Sequence, residues 1–342
     1  MKATKFGRCG DVDGKTVLFW SGSALEVCVR ASELYVIIET DYDIHELWAD
    51  FIIDGERTQR LALQKGVHKY MIFRGFEASS KTKVRVVRDT QSMPEDNVSY
   101  FAIHGFETDG EFLDESHYDM QLEFIGDSIT SGEGCGLTNR EEWIPAVFDA
   151  VNAFPYLTSQ ILNAKYNVLS QSGWGTFASW DADTSHAIVD YYGKICGTLC
   201  DEKNIAAHAH EDWNFEDNAS DAIIINLGTN DSSAMKLEKW SKEEFASLFI
   251  DKAYNFIKNV RRHNPHSLIL WVYGMLGNDM EPYIQKALQQ YKDETGDEKV
   301  QYLALENCTG ELLGVRLHPT PQAHRVAAKQ IADTIIRNLS AK

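Results

Sequence analysis

Leu122-Glu123-Phe124-Ile125-Gly126-Asp127-Ser128-Ile129-Thr130-Ser131-Gly132 is the stretch whose reading decides the fold of this 342-residue chain. An apolar run of strand length ends at a glycine, and a short polar turn follows before the next apolar position. A buried strand that bends sharply toward a helix reads this way. The turn presents the Ser128 hydroxyl at the carboxyl end of a sheet, where open α/β folds bind ligands, and its small neighbours let a substrate carbonyl come close. Two more blocks stand in the same kind of place. Gly228-Thr229-Asn230-Asp231 follows the buried run Ala222-Ile223-Ile224-Ile225-Asn226-Leu227, and His318-Pro319-Thr320 directly precedes the last helical pattern. Gly-Asp-Ser alone is a common turn. Three such blocks in this order, each at a strand end or a helix start, point to nucleophilic catalysis.

At these residues the chain resembles the SGNH (GDSL) hydrolase superfamily, whose marker residues are a serine, a glycine, an asparagine and a histidine. Ser128, Asn230 and His318 match three of them. The glycine is matched by Gly173 in Ser170-Gln171-Ser172-Gly173-Trp174-Gly175, after the strand-like Tyr166-Asn167-Val168-Leu169. The resemblance implies roles. A serine hydroxyl is a weak nucleophile at neutral pH and must pass its proton to a base, for which an imidazole is suited. His318 is the candidate base. The oxygen of the attacked carbonyl needs donors as it becomes an anion, and the candidates are the backbone N–H groups of Ser128 and Gly173 and the side-chain amide of Asn230. Asp231 reads as a turn-forming Asx residue.

One departure from the superfamily pattern stands out. The acid that orients the histidine usually lies three residues before it, and in Gly314-Val315-Arg316-Leu317-His318 that position is Val315. Either a backbone carbonyl of this loop accepts the imidazole N–H, giving a Ser128–His318 dyad, or an acid reaches in from elsewhere. Glu306 and Glu311 are nearest in sequence. The dyad is favoured, because orientation requires only a well-placed acceptor that fixes the tautomer. Asp127 is too close to the nucleophile along the chain to serve, and reads as a partner of the loop backbone.

The length and an apolar content of 44% exceed what one core usually holds, so two domains are expected, over residues 1–110 and 119–342. From Thr16 to Glu107 short β patterns follow closely on one another: Val17–Trp20, Leu25–Val29, Leu34–Ile38, Leu47–Ile53, Tyr70–Phe73 and Val84–Val87, with Asp54-Gly55 as a hairpin signal. This predicts a β-sandwich of jelly-roll type. After Glu107-Thr108-Asp109-Gly110-Glu111 strands alternate with helices at Tyr156–Asn163, Lys242–His263, Glu281–Thr295 and Pro321–Asn338, with strands at Leu268–Tyr273 and Val300–Leu305. That alternation predicts a parallel sheet covered by helices. A β-sandwich followed by a domain bearing Gly126-Asp127-Ser128-Ile129-Thr130 resembles carbohydrate esterase family 2, over nearly the whole chain. The resemblance implies hydrolysis of O-acetyl esters on xylan- or mannan-type saccharides through an acyl-enzyme. Two rivals are an esterase, thioesterase or lysophospholipase for longer acyl groups, and an inactive carbohydrate-binding protein.

Composition narrows the partners. Thirty-three Lys and Arg against 51 Asp and Glu give a net charge of −18, with no basic run long enough to follow a phosphate backbone. Nucleic acid is excluded as a partner on this ground, and polyanionic saccharides are disfavoured. No apolar run reaches the roughly eighteen residues of a membrane span. The segment Met1 to Arg8 lacks the apolar core of a signal peptide, so a cytoplasmic location is expected. Cys9, Cys28, Cys135, Cys196, Cys200 and Cys308 form no disulfide framework and read as reduced, mostly buried thiols. His208-Ala209-His210-Glu211-Asp212 reads as a solvated loop; the proposed chemistry needs no metal and no cofactor. Trp20 and Trp48 are expected in the core. Trp174 and Trp180 are loop aromatics suited equally to packing and to stacking on a sugar face.

Overall fold

The computed structural model describes residues 2–93, 96, 98–136 and 143–340. The chain divides into two compact units. The first comprises Met1–Tyr118, Trp143–Val151 and Gly193–Trp213; the second comprises Asp119–Glu142, Asn152–Tyr192 and Asn214–Lys342.

In the first unit the strands form two antiparallel sheets. One runs in the order Thr4–Phe6, Ala24–Arg30, Thr82–Arg88, Trp48–Ile53, Glu56–Ala62, with Glu111–Phe112 also on Ala24–Arg30; the other runs Cys9–Val12, Lys15–Leu18, Tyr100–Thr108, Glu33–Asp41, Gly66–Arg74. Alternation sets the faces. Along Glu33–Asp41 every second residue is buried, so Leu34, Val36, Ile38 and Thr40 point inward, and the three apolar ones join a core with Phe51, Val86 and Phe101. Asp54-Gly55 makes the expected hairpin: Ile53 pairs with Glu56, and both turn residues have positive φ, 50° and 92°. Positive φ at both central positions matches the right-handed twist of the strands. The hairpin's second strand, Glu56–Ala62, escaped sequence reading because it is mostly exposed and carries no apolar alternation. Buried carboxylates tie Trp143–Val151 into this unit. Arg57 donates to Asp149 at 2.8 Å, Arg60 donates to Asp89 at 2.7 Å, and Asp89 also accepts the Ala150 N–H. Trp20 is in the core, as expected. Trp48 is only half buried, with the Arg60 guanidinium 4.5 Å over its ring and its indole N–H on Glu46.

Among the described residues of the second unit, five parallel strands run in the order Ala164–Ser170, Met120–Gly126, Ala222–Asn226, Leu268–Tyr273, Val300–Ala304. Every residue of the two strands Ala222–Asn226 and Leu268–Tyr273 is buried, as strands covered on both faces require. The chain order reverses between Met120–Gly126 and Ala222–Asn226, and in doubly wound sheets a crevice opens at the carboxyl ends on either side of such a reversal. The flanking helices start on capping signals. Ser241 accepts the Glu244 N–H at the head of Lys242–His263, whose first turn is acidic and last turn basic. Thr320 accepts the Ala323 N–H at the head of Pro321–Leu339, with proline in the first turn. No helix among the described residues is long and apolar enough to cross a membrane.

Candidate active site

Gly126 ends the strand Met120–Gly126, and the backbone then turns into the short helix Ser128–Ser131. Asp127 caps it by accepting the Ile129 N–H at 3.0 Å. The cap fixes the turn, and the turn holds Ser128 nearly buried at the carboxyl edge of the sheet. His318 arrives from the other side, two residues before the helix cap Thr320. Its loop is closed by the Gly314 N–H donating to His318 O at 2.6 Å. Gly134, at φ 89°, makes room for that loop: a Cβ there would stand 2.5 Å from the His318 Cβ.

Ser128 Oγ and His318 Nε2 lie 2.8 Å apart, and His318 Nδ1 lies 2.9 Å from the carbonyl oxygen of Arg316. A carbonyl can only accept, so Nδ1 carries the ring proton and Nε2 presents its lone pair to the serine hydroxyl. A base in this tautomer can take the serine proton. The backbone produces the arrangement by an unusual route. Arg316 and Leu317 both have left-handed φ, 56° and 59°, which turns the Arg316 carbonyl back onto the ring. For L-residues this conformation costs about 1–2 kcal/mol each, so contacts elsewhere must hold it. Glu306 and Glu311 are exposed and do not supply the acceptor of Nδ1.

The other marker positions converge on the same edge. Gly173 sits at φ 80°, and its carbonyl accepts the Trp180 N–H at 2.9 Å. The backbone N–H groups of Ser128 and Gly173 take no partner from within the described residues. Asn230 Nδ2 donates to Trp174 O at 2.8 Å and lies 3.4 Å from Asp127 Oδ2, a long contact that an incoming anion could replace. Asp231 is not the turn residue that its sequence suggested, since it lies within the helix Thr229–Lys236, whose start takes no side-chain cap. Its carboxylate accepts the N–H groups of Thr176, Phe177 and Ala178 at 2.8, 2.7 and 3.2 Å and so pins the loop that follows Gly173. Burial raises the carboxyls of Asp127 to about 7 and Asp231 to about 6, against the backbone N–H groups that each accepts. The two aromatics differ. Trp174 stacks on His186, ring centres 4.9 Å apart, and packs against Tyr191, whereas Trp180 is 61% exposed beside Gly173.

Residues 122–331 match the model of the family described as GDSL-like Lipase/Acylhydrolase. The chain belongs to that family. Its GDSL block is Gly126 to Ile129, with isoleucine in the last place. An acetyl xylan esterase (Est2A) from the rumen bacterium Butyrivibrio proteoclasticus is similar over 99% of this chain and 96% of its own, at 36% identity and a TM-score of 0.95. A family two carbohydrate esterase from Clostridium thermocellum, solved with cellohexaose, shares the fold over 99% of both chains at 22% identity and a TM-score of 0.85. An acetylxylan esterase / glucomannan deacetylase of Cellvibrio japonicus is 20% identical over 323 residues, 93% of this chain and 84% of that protein. A further curated relative is much longer, and the chain spans 37% of its length.

Three residues of this GDSL site escaped sequence reading: Glu133, Arg316 and Ser172. Glu133 is buried; its carboxylate accepts Arg316 Nε at 2.7 Å and the Ser172 hydroxyl at 2.8 Å, and it stands 3.7 Å from His318 Nε2. The only signal was a carboxylate framed by glycines in Gly132-Glu133-Gly134, five residues past the serine.

Proposed function

We propose that this chain is a serine esterase that removes O-acetyl groups from hemicellulose-derived saccharides of the xylan or mannan type. The observation that carries the reading is the contact of Ser128 Oγ with His318 Nε2, with Nδ1 on the Arg316 carbonyl. The nearly full-length likeness to an acetyl xylan esterase at 36% identity supports the acetyl saccharide as substrate. Ser128 Oγ attacks the acetyl carbonyl while His318 Nε2 takes its proton. The anion on the carbonyl oxygen is met by the N–H groups of Ser128 and Gly173 and by the Asn230 amide. Collapse expels the sugar oxygen, which receives the proton from His318, and leaves acetyl on Ser128. Water, deprotonated by the same imidazole, then attacks the acetyl carbonyl, and collapse releases acetate while the imidazolium returns its proton to Ser128 Oγ. Trp180 offers an exposed indole face for a sugar ring at the mouth, and Trp174 contributes through its stack on His186.

The division at 1–110 and 119–342, with Trp143–Val151 and Gly193–Trp213 returning to the first unit, and a jelly roll for the first part, belong to the same proposal. The short, antiparallel strands of the first unit support the jelly roll, and the family match over 122–331 supports the second boundary. The outermost positions, 1 and 342, lie outside the described residues. The test is turnover of chromogenic acetate and longer acyl esters, followed by NMR of the products from acetylated xylan and glucomannan. Acetate-selective turnover that Ser128→Ala abolishes, with Ser128 carrying the label of a covalent serine reagent, is the expected result. Preference for long chains, or residual activity above a few per cent in the variant, would overturn it.

A further inference from the structure

We propose that Glu133 is the positioning acid of this site, acting through Arg316 and not by contact with Nδ1; the proposal rests on the esterase reading and deepens it. Glu133 is fixed to the nucleophile turn by its own backbone, whose N–H donates to Ser128 O at 3.0 Å. Its side chain is 4% exposed, and each carboxylate oxygen takes one charge-assisted or hydroxyl donor: Oε1 accepts from Arg316 Nε and Oε2 from Ser172 Oγ. One carboxylate therefore joins the loops of the three marker residues Ser128, Gly173 and His318. Arg316 is the link that matters for the base. Its carbonyl faces Nδ1 only because residues 316 and 317 stand in left-handed conformation, which neither side chain favours by itself. The pull of Glu133 on the Arg316 guanidinium holds the carbonyl in place.

The charge has a second consequence. In a serine–histidine–aspartate triad the acid both fixes the tautomer and offsets the imidazolium charge. Here the Arg316 carbonyl fixes the tautomer, and a carboxylate oxygen 3.7 Å from Nε2 faces the charge that forms there. In the resting tautomer Nε2 has a lone pair and no proton to offer that oxygen, so it stays with the Ser128 hydroxyl, while Ser172 holds the carboxylate in place. As stability alone, a buried carboxylate facing a half-exposed arginine would be a poor arrangement, since desolvation offsets most of what such a pair gains.

The test compares full-length wild type with Glu133→Gln, Arg316→Ala and the double variant on a chromogenic acetate ester. Glutamine keeps the shape of the side chain and removes its charge. We expect each single variant to lower kcat about a hundredfold, as a misplaced base does, with KM within about threefold. The double variant should be no worse than the poorer single one, because both remove the same link. The Nδ1–H resonance of His318, read by NMR in 15N-histidine-labelled protein, should broaden in both single variants, a change independent of any substrate. An unaltered resonance and kcat in Glu133→Gln would overturn the proposal, as would losses that multiply to about ten-thousandfold in the double variant. Should Glu133→Gln fail to fold, Arg316→Ala decides on its own, and full activity there overturns the link. A wild type without acetyl-ester turnover fails the esterase reading and leaves the resonance to judge Glu133; an active wild type with unaffected variants fails only Glu133.

Discussion

Lowering the pH should weaken this protein through His324, a residue six positions beyond the candidate base and buried to 0% exposure. Its Nδ1 accepts the Phe154 N–H at 3.1 Å, and its ring stacks on that of Phe154, so a proton added at Nδ1 must break the bond. Burial, and then the neighbouring His318, push its pKa down to about 3, from an ordinary value of 6.5. In the window between those values the unfolded chain binds a proton that the native state refuses. The stabilisation is therefore complete above pH 6.5 and is lost as the pH falls toward 3, at up to about 1.4 kcal/mol per pH unit. Between pH 6 and pH 4 the loss comes to about 2.5 kcal/mol. Urea unfolding of wild type and His324→Gln at pH 6, 5 and 4 isolates this contribution, because every other titrating group is common to both. Glutamine keeps an acceptor for the Phe154 N–H but cannot titrate. Wild type should lose about 2.5 kcal/mol more than the variant across that range. Equal pH dependence in the two proteins would refute the neutral buried imidazole.

Three further outcomes follow from the site. Asn230→Ala should reduce kcat by about two to three orders of magnitude with a smaller effect on KM; steady-state kinetics showing an unchanged kcat would leave its amide only as a brace on Trp174. Asp231→Asn has one acceptor oxygen where the carboxylate has two, so at least one loop N–H loses its partner, and denaturant unfolding at pH 7.5 should show about 2 kcal/mol less stability. Glu306→Gln and Glu311→Gln should leave turnover within about twofold, whereas a loss near ten-thousandfold in either would name it as the acid of a triad.

The fold was most legible where one periodicity ran uninterrupted. Lys242–His263 and Glu281–Thr295 coincide with their sequence-predicted limits because an apolar stripe runs the length of each, and Leu268–Tyr273 because it is apolar throughout. What failed to show were edge and polar elements. Glu56–Ala62 exposes most of its residues, and Thr229–Lys236 buries its helix on small polar side chains, Asn230, Asp231 and Ser232, that carry no apolar signal. The placement of Trp143–Val151 and Gly193–Trp213 in the first unit could not be read either, since a part-buried ion pair and single bonds between a side chain and a backbone group, made at long sequence separation, attach them.

At the site, residue types were legible and their support was not. A serine after a strand, a histidine before a helix and a polar turn between them are local patterns, each written in a few neighbouring residues. The acid is a different kind of object. Sequence proximity pointed to Glu306 and Glu311, but the carboxylate that reaches the histidine loop comes from 183 residues away, on the nucleophile's own turn. Two non-glycine residues in left-handed conformation are what bring it within reach, and nothing in Val315-Arg316-Leu317 announces that conformation. Once the turn and the loop meet, the geometry has few alternatives. Gly134 admits the His318 Cβ, Glu133 beside it meets the Arg316 guanidinium, and the Arg316 carbonyl is left facing Nδ1. The position three residues before the histidine can then be a valine, because the acceptor that a carboxylate there would supply is already provided by the backbone.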